Sequence, residues 1–184
     1  MTGAAVERAH RAVAVALRSG DWAVDATVGR GHDTRFLAEQ VGPAGRVDGL
    51  DIQPQALEAA HQRLMEADLA AWVWLHHGGH EALLSLLPGE ARGKVQIVLF
   101  NLGYLPGGDK TRTTGPTTTV AALDAAWDLV APGGRVVVVA YPGHTGGGAE
   151  TAAVAEWADR CGSRANMEEG DARQRRPRLL VAEP

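Results

Sequence analysis

The sequence contains little of three things: cysteine, long apolar runs and excess positive charge. Its one cysteine, Cys161, excludes an internal disulfide framework and a cysteine-based zinc cluster, and it favours a reducing cytoplasm as the location. No stretch reaches the roughly 18 consecutive apolar residues that a membrane-spanning helix needs, so we expect no membrane partner. The formal net charge of −4 gives no global basic field of the kind that marks many nucleic-acid-binding proteins.

The chain reads as one domain over residues 1–184, because no linker or internal repeat divides it and its length supports a substantial core. The N-terminal stretch predicts an amphipathic helix and no cleavable signal peptide, since charged and polar side chains interrupt it. Arginines crowd the last quarter of the chain, and either a solvated surface or a local basic binding face accounts for them. They are Arg160, Arg164, Arg173, Arg175, Arg176 and Arg178.

Strand patterns alternate with helical patterns, which predicts an α/β fold with a mostly parallel sheet and helices on both faces. The last two strands, near 164–168 and 178–182, lie too close for a crossover helix and should form an antiparallel hairpin. This seven-stranded layout is typical of Rossmann-like methyltransferases. Gly133 is expected to end the fifth helix. The helices are predicted near 4–18, 33–40, 54–68, 79–87, 119–130 and 149–161, and the other strands near 22–26, 46–50, 72–76, 95–100 and 135–140.

A glycine-containing turn follows the first predicted strand in "WAVDATVGRGHDT", residues 22–34. The strand ends on Asp25, and Gly29 and Gly31 lead into a helix whose N-terminus offers unpaired N–H groups. Thr34 occupies the place of the third glycine of a dinucleotide fingerprint. The carboxylate of Asp25, four residues before the first glycine, suits a ligand with a cationic amino-acid tail. S-adenosylmethionine (SAM) has such a tail and NAD lacks one. A tight turn that binds nothing is the alternative.

A second carboxylate closes the second predicted strand in "DIQPQAL". Asp51 lies about 20 residues beyond the glycine turn, where an acidic side chain accepts hydrogen bonds from ribose hydroxyls. Gln53 follows it, and Pro54 opens the next helix at a favourable first-turn position. Asp51 as a simple helix cap is the alternative.

Three histidines follow in "LHHGGHEALL", after the third strand, where the adenine of such a cofactor would lie. Gly79 and His80 are candidates for the adenine edge, and polar loop residues are the alternative. The spacing matches no zinc motif, so we expect no metal.

The fourth predicted strand ends on a bare amide in "VQIVLFNLGYLPGGDK", residues 95–110. Asn101 and Tyr104 resemble the ends of the (Asp/Asn)-Pro-Pro-(Tyr/Phe) tetrapeptide of methyltransferases that act on nitrogen. In those enzymes, carbonyl oxygens accept hydrogen bonds from the substrate amine and orient it, while an aromatic ring packs on the target. An asparagine that merely begins a turn is the alternative.

Four blocks together, "DATVGRGHDT", "DIQPQAL", "FNLGYLPGGDK" and "VAYPGHTGGGAE", resemble a bacterial family of tRNA 5-(aminomethyl)-2-thiouridine methyltransferases, formerly labelled rRNA methylases. The resemblance implies a class I fold with SAM as cofactor and the anticodon stem-loop of tRNA as partner. It implies methylation of 5-aminomethyl-2-thiouridine at the wobble position to its 5-methylaminomethyl form. Ribosomal RNA and a small-molecule amine remain alternative substrates; a nicotinamide oxidoreductase and a non-catalytic module are less favoured. A homodimer is left open.

Three residues are expected to act in catalysis: Asn101, Tyr104 and His144. His144 is the candidate proton acceptor, with a tRNA-backbone contact or a helix cap as its alternative role. Tyr104 and Tyr141 are candidates to stack on the uridine, with packing as the alternative. Substrate contacts are expected from Leu102, Gly103, Tyr104, Pro106, Asp109, Lys110, Tyr141 and His144. Cofactor contacts are expected from Asp25, Thr27, Gly29, Gly31, His32, Asp33, Thr34, Asp51, Gln53, Gly79, His80 and Asn101.

Overall fold

A computed structural model describes residues 3–103, 114–168 and 176–184. Short, β-branched segments form the strands there, and they join in one seven-stranded sheet. The strands are β1 (Trp22–Asp25), β2 (Arg46–Asp51), β3 (Val73–His77), β4 (Val95–Asn101), β5 (Val130–Ala140), β6 (Ala165–Met167) and β7 (Arg178–Ala182).

The strands lie in the order β3-β2-β1-β4-β5-β7-β6 across the sheet. β1 to β5 pair in parallel, and β7 is antiparallel to both β5 and β6. The predicted parallel sheet and closing hairpin are therefore confirmed. The chain moves outward from β1 through β3 and then returns to the other side of β1 with β4. This reversal creates the crevice at the carboxyl ends of the strands where open α/β sheets bind ligands.

Helices cover both faces of the sheet, and β4 shows how the core is divided. Ile97 and Leu99 face one apolar cluster, while Val98 and Phe100 face the other, as the alternation of side chains along a strand requires. The first three helices contribute to the Ile97 cluster and the last three to the Phe100 cluster. The helices are α1 (Ala4–Ala16), α2 (His32–Val41), α3 (Pro54–Glu66), α4 (Leu83–Leu86), α5 (Pro116–Leu129) and α6 (Gly147–Cys161).

Two boundaries differ from the sequence prediction. The predicted helix at 79–87 is a 3-10 turn, His80–Ala82, followed by the single turn of α4. Gly133 does not end α5, which stops at Leu129; instead it adopts φ +80° inside β5. The pairing of β4 with β5 shifts register between the Val95–Val130 and Ile97–Arg135 pairs. Gly133 therefore lies in an irregular, bulge-like part of β5. None of the helices in the described part of the chain is long and apolar enough to cross a membrane.

Candidate active site

The glycine turn after β1 ties the first two strands together. Gly29 adopts φ +51°, a left-handed conformation that glycine tolerates, and its N–H donates to Oδ2 of Asp51 at 2.8 Å. Gly31 adopts φ +75°, and a Cβ there would lie 2.7 Å from the Cβ of Ala60. Gly31 therefore lets α2 approach α3 closely, while Gly29 joins the turn to the end of β2.

A cavity of about 910 Å³ opens at the carboxyl ends of the parallel strands, at the point where the strand order reverses. The glycine turn, the end of β2 and the residues that follow β3, β4 and β5 form its walls. The structure thus brings most of the predicted site residues to one place. Those that line the cavity are Thr27, Gly29, His32, Asp33, Asp51, Gln53, Gly79, His80, Asn101, Leu102, Gly103, Tyr141 and His144.

Three predicted cofactor residues do not line the cavity: Asp25, Gly31 and Thr34. Asp25 is fully buried, and its carboxyl oxygens accept hydrogen bonds from Thr34 Oγ1 at 2.6 Å and from the N–H of Thr27 at 3.1 Å. Asp25 and Thr34 therefore brace the turn from behind, while Gly31 serves helix packing. The predicted residues Tyr104, Pro106, Asp109 and Lys110 lie outside the described residues.

Negative charge is concentrated beside the glycine turn. Burial, together with the nearby carboxylates of Asp33 and Asp51, raises the pKa of Asp25 to about 7, although its hydrogen bonds act in the opposite direction. Asp33 and Asp51 themselves line the cavity. Since like charges so close together oppose ionisation, this wall of the cavity favours a cationic ligand.

Asp51 is held in a fixed orientation at the end of β2. One of its oxygens accepts from Gly29, and Oδ1 accepts from the N–H of Gln53 at 2.8 Å. Each carboxylate oxygen has a further lone pair, so the group remains able to accept hydrogen bonds from a ligand. This geometry suits a pair of ribose hydroxyls.

His80 forms part of the wall next to Asp51 and is almost fully buried. Its ring meets the ring of Phe100 edge-on, with centroids 5.9 Å apart. Burial lowers the pKa of His80, so the imidazole is neutral at physiological pH and offers one donor and one acceptor. A neutral, partly aromatic wall of this kind suits a heterocyclic base.

Asn101 occupies the last position of β4 and is anchored at two points. Its backbone N–H donates to Thr27 Oγ1 at 2.7 Å, and its side-chain Nδ2 donates to Asp33 Oδ2 at 2.9 Å. Since the carboxylate of Asp33 takes the amide's N–H₂ end, Oδ1 is the end of Asn101 that can accept from a ligand.

His10, on α1, belongs to the same constellation, and the sequence analysis missed it. Its Nε2 lies 2.7 Å from Asp33 Oδ1, and its ring stacks on Phe36 with centroids 3.8 Å apart and planes 3° apart. The available signal was its position one turn after Val6, beside the buried stripe of α1. A histidine on a surface helix gave no sign of which distant residue it meets.

His144 follows β5 and lies against the residues after β4. Its Nδ1 lies 2.9 Å from the carbonyl of Thr145, which fixes the proton of the neutral ring on Nδ1 and leaves Nε2 as the basic nitrogen. A Cβ on Gly147 would lie 2.7 Å from that Nε2, so only glycine leaves room for the ring there. A Cβ on Gly103 would lie 3.5 Å from the same nitrogen, which places Nε2 beside the backbone after Asn101.

The burial of Tyr141 raises the pKa of its hydroxyl, and the charge of Asp33 adds to the effect. The phenol is therefore neutral at physiological pH, and the ring lines the cavity on the side of β5.

Glu150, almost fully buried on α6, holds the residues on either side of 104–113. Its oxygens accept from Thr119 Oγ1 at 2.6 Å and from Thr114 Oγ1 at 2.9 Å. Thr114 Oγ1 in turn accepts from the N–H of Gly103 at 2.9 Å. Gly103 and Thr114 are thereby fixed to the same buried carboxyl group.

The sequence matches the family model described as "Putative rRNA methylase" over residues 47–171, more than half of the chain. The chain belongs to this family. Two solved structures agree over the whole chain. A "putative rRNA-methylase" from Clostridium thermocellum has 34% identity and a TM-score of 0.89, with 100% of this chain and 98% of that one covered. A Streptococcus mutans methyltransferase in complex with SAH has 26% identity and a TM-score of 0.84, with both chains fully covered. The fold is that of class I SAM-dependent methyltransferases.

Two curated relatives extend the family comparison to named activities. The chain is 38% identical over 151 residues to the chloroplastic tRNA (mnm(5)s(2)U34)-methyltransferase of Arabidopsis thaliana, covering 78% of this chain and 54% of that protein. It is 38% identical over 90 residues to the ribosomal RNA small subunit methyltransferase H of Neisseria gonorrhoeae, covering 49% of this chain and 27% of that protein. The chain thus spans about half of the first relative and about a quarter of the second.

Proposed function

We propose that the protein transfers a methyl group from SAM to the side-chain amine of 5-aminomethyl-2-thiouridine at the tRNA wobble position. The product is 5-methylaminomethyl-2-thiouridine. The observation that carries the proposal is the orientation of Asn101, whose amide oxygen is left to accept from an amine while Asp33 holds its other end. The name of the Arabidopsis relative supports the choice of amine.

The cavity fits SAM by the chemistry of its walls. The carboxylates of Asp33 and Asp51 complement a ligand that carries positive charge, and Asp51 is oriented for ribose hydroxyls. The neutral imidazole of His80 suits an adenine edge. Bound SAM supplies a methyl group activated by a positively charged sulfur, so the protein needs to position the acceptor and exclude water.

The amine must lose a proton before it can attack, because an aliphatic ammonium with a lysine-like pKa carries no lone pair at neutral pH. His144 Nε2 is the group we assign to take that proton, since the carbonyl of Thr145 fixes the other ring nitrogen as the donor. Asn101 Oδ1 and the carbonyl of Leu102 then accept from the remaining N–H groups and aim the lone pair. The new N–C bond forms as the S–C bond breaks, and the sulfur keeps the bonding electrons.

The proposed RNA partner is the anticodon stem-loop of tRNA. Tyr141 on the cavity wall, together with the predicted Tyr104, would stack on the uridine taken out of the anticodon loop. Arg176 and the other arginines of the last quarter of the chain are the candidates to contact phosphates of the tRNA. The single cysteine is in keeping with the cytoplasm as the place where this tRNA is modified.

Methyl transfer to two separate RNA substrates tests the proposal. We would supply SAM labelled in its methyl group with either tRNA from cells that lack the modification or ribosomal subunits from the same cells. The proposal expects label in tRNA only, and tRNA that already carries the methyl group should accept none. Label in the ribosomal subunits alone would overturn the tRNA assignment.

Ribosomal RNA is the second candidate substrate. The description of the family model and the Neisseria relative both name it. The match to that relative covers only 49% of this chain, whereas the match to the tRNA enzyme covers 78%. The longer match is the reason for placing tRNA first.

A further inference from the structure

Helix α1 is linked to the amide at the end of β4 through the carboxylate of Asp33. We propose that His10 is a positioning residue, which holds Asp33 so that the amide of Asn101 presents its oxygen to the substrate. The inference rests on the proposed function, because it takes Asn101 as the acceptor for the amine. It adds a residue from α1 that lies outside the part of the chain matched by the family model.

The two oxygens of the Asp33 carboxylate have different partners. Oδ1 meets His10 Nε2 at 2.7 Å, and Oδ2 accepts from Asn101 Nδ2 at 2.9 Å. An ionised carboxylate only accepts hydrogen bonds, so both partners must donate to it. The histidine and the amide therefore each hold one oxygen of the Asp33 carboxylate. Neither side chain can turn its N–H away without breaking a charge-assisted hydrogen bond.

The orientation of the amide decides whether Asn101 can serve an amine. With Nδ2 of Asn101 held by Asp33, Oδ1 of Asn101 can accept a hydrogen bond from an N–H of the substrate amine. The lone pair of the amine is then left to point at the methyl group. A flipped amide would present N–H₂ to the amine, and that donor would compete for the same lone pair that must attack the methyl group. Asp33 prevents the flip only while its own rotation is restrained.

His10 restrains that rotation because it is itself immobilised. Its ring stacks flat on Phe36, and its neighbour Ala9 is buried where α1 packs on the sheet. The side chain of Asp33 is about one-tenth exposed, so water offers little replacement for a lost donor. Removing the N–H of His10 should leave Oδ1 of Asp33 without its hydrogen-bond donor and free the Asp33 carboxylate to turn.

Two variants separate the hydrogen bond from the stacking. His10→Phe keeps an aromatic ring to stack on Phe36 and removes the donor. His10→Gln gives up the stack and places an amide N–H close to the position of Nε2. The matched controls are His61→Phe and His61→Gln, since His61 is exposed on α3 and does not line the cavity.

The first readout is hydrogen exchange of the Asn101 side-chain N–H₂ in the ¹⁵N-labelled protein, with its signals assigned by their loss in Asn101→Ala. We expect His10→Phe to exchange severalfold faster than the wild type, His10→Gln to approach the wild type, and both His61 variants to match it. Unchanged exchange in His10→Phe would overturn the proposal, whatever the activity of the variant.

The second readout is methyl transfer to the tRNA substrate at saturating SAM. His10→Phe should lower kcat by up to about 100-fold, the cost of a small misplacement of a reacting group. In the Asn101→Ala background the same substitution should cost almost nothing, because the two residues act in series. Fully additive losses would contradict the proposal. A wild-type protein that transfers no methyl group would overturn the proposed function, while faster exchange in His10→Phe would still support the contact.

Discussion

Nδ2 of Asn101 donates a hydrogen bond to Oδ2 of Asp33 at 2.9 Å, and this contact joins residues 68 positions apart in the chain. Asn101 ends β4, and Asp33 belongs to the first turn of α2, directly after the glycine turn. The half of the cavity that we assign to the cofactor and the half that we assign to the substrate are thus linked through one side-chain pair.

Replacing Asn101 with alanine should slow methyl transfer while leaving SAM affinity close to normal. The loss of one oriented acceptor should cost roughly 2–4 kcal/mol in the barrier, by analogy with single hydrogen-bonding groups in other active sites. Steady-state kinetics together with calorimetry of SAM binding would separate the two effects. Asn166→Ala is the matched control, because Asn166 is exposed on β6. A variant that lost SAM binding but kept its rate would show that Asn101 serves the cofactor instead.

Replacing Asp51 with asparagine should weaken SAM binding most. The amide retains only one acceptor oxygen, whereas Asp51 accepts from Gly29 with one oxygen and from Gln53 with the other. A loss of roughly 1.5–3 kcal/mol in binding free energy is expected for hydrogen bonds to a charged group. Calorimetry would measure it, with the exposed Asp159→Asn as the control. An unchanged dissociation constant would argue against the ribose assignment.

Asp25→Asn should stabilise the protein at alkaline pH. The pKa of Asp25 is raised to about 7, above its ordinary value of 3.8, by burial and by nearby carboxylates. Its favourable contribution to the free energy of unfolding is therefore complete below pH 4 and is lost as the pH rises towards 7. Melting temperatures at pH 4 and pH 8 should show a gain for the variant only at pH 8. A gain of equal size at both pH values would contradict this reasoning.

Glu150→Gln should destabilise the protein by about 1–3 kcal/mol, because an amide cannot accept from both threonine hydroxyls that the buried carboxyl group now satisfies. Denaturant unfolding would measure the loss. Glu156→Gln, on an exposed position of the same helix, should change little. Equal stabilities of the two variants would mean that the pairing with Thr114 and Thr119 contributes nothing.

Arg176→Gln should weaken tRNA binding and flatten its dependence on salt. Arg176 is exposed beside β7, whereas Arg178 donates to the carbonyl of Glu168 and Arg164 lies over the ring of Trp127. A phosphate contact at Arg176 would contribute somewhat less than one unit to the log–log slope of affinity against salt concentration. Binding titrations at several salt concentrations would measure the slope. The same slope in the wild type and the variant would mean that Arg176 touches no phosphate.

The sequence predicted the sheet well because its signals are local. Buried β-branched runs identify parallel strands, and a final pair of strands with a short connection has to be antiparallel. Asp51 and Asn101 were singled out for the same reason, since polar residues at the ends of buried strands stand out, and both line the cavity. The bounds of β5 were less accurate, because the turn at Gly133 belongs to an irregularity in strand pairing that no local pattern distinguishes from a helix end.

Contacts between distant segments are what the sequence did not reveal. Asp25 has the spacing of a ligand residue, yet it is fully buried and bonded to Thr27 and Thr34 behind the turn, and only the folded chain shows this. His10 reads as one polar residue on an amphipathic helix until α1 is placed against α2. Such pairings depend on how helices pack over the sheet, and single-chain patterns carry no information about the partner.

The most direct test of the account reads the modified nucleoside itself. Purified protein would be incubated with SAM and tRNA from cells that lack this activity, and the digested tRNA would be analysed by mass spectrometry. We predict that 5-aminomethyl-2-thiouridine gains one methyl group on its amine, and that the gain is largely lost with Asn101→Ala. Unmodified wobble nucleoside after incubation with protein that binds SAM tightly would contradict the assignment of this amine as the substrate.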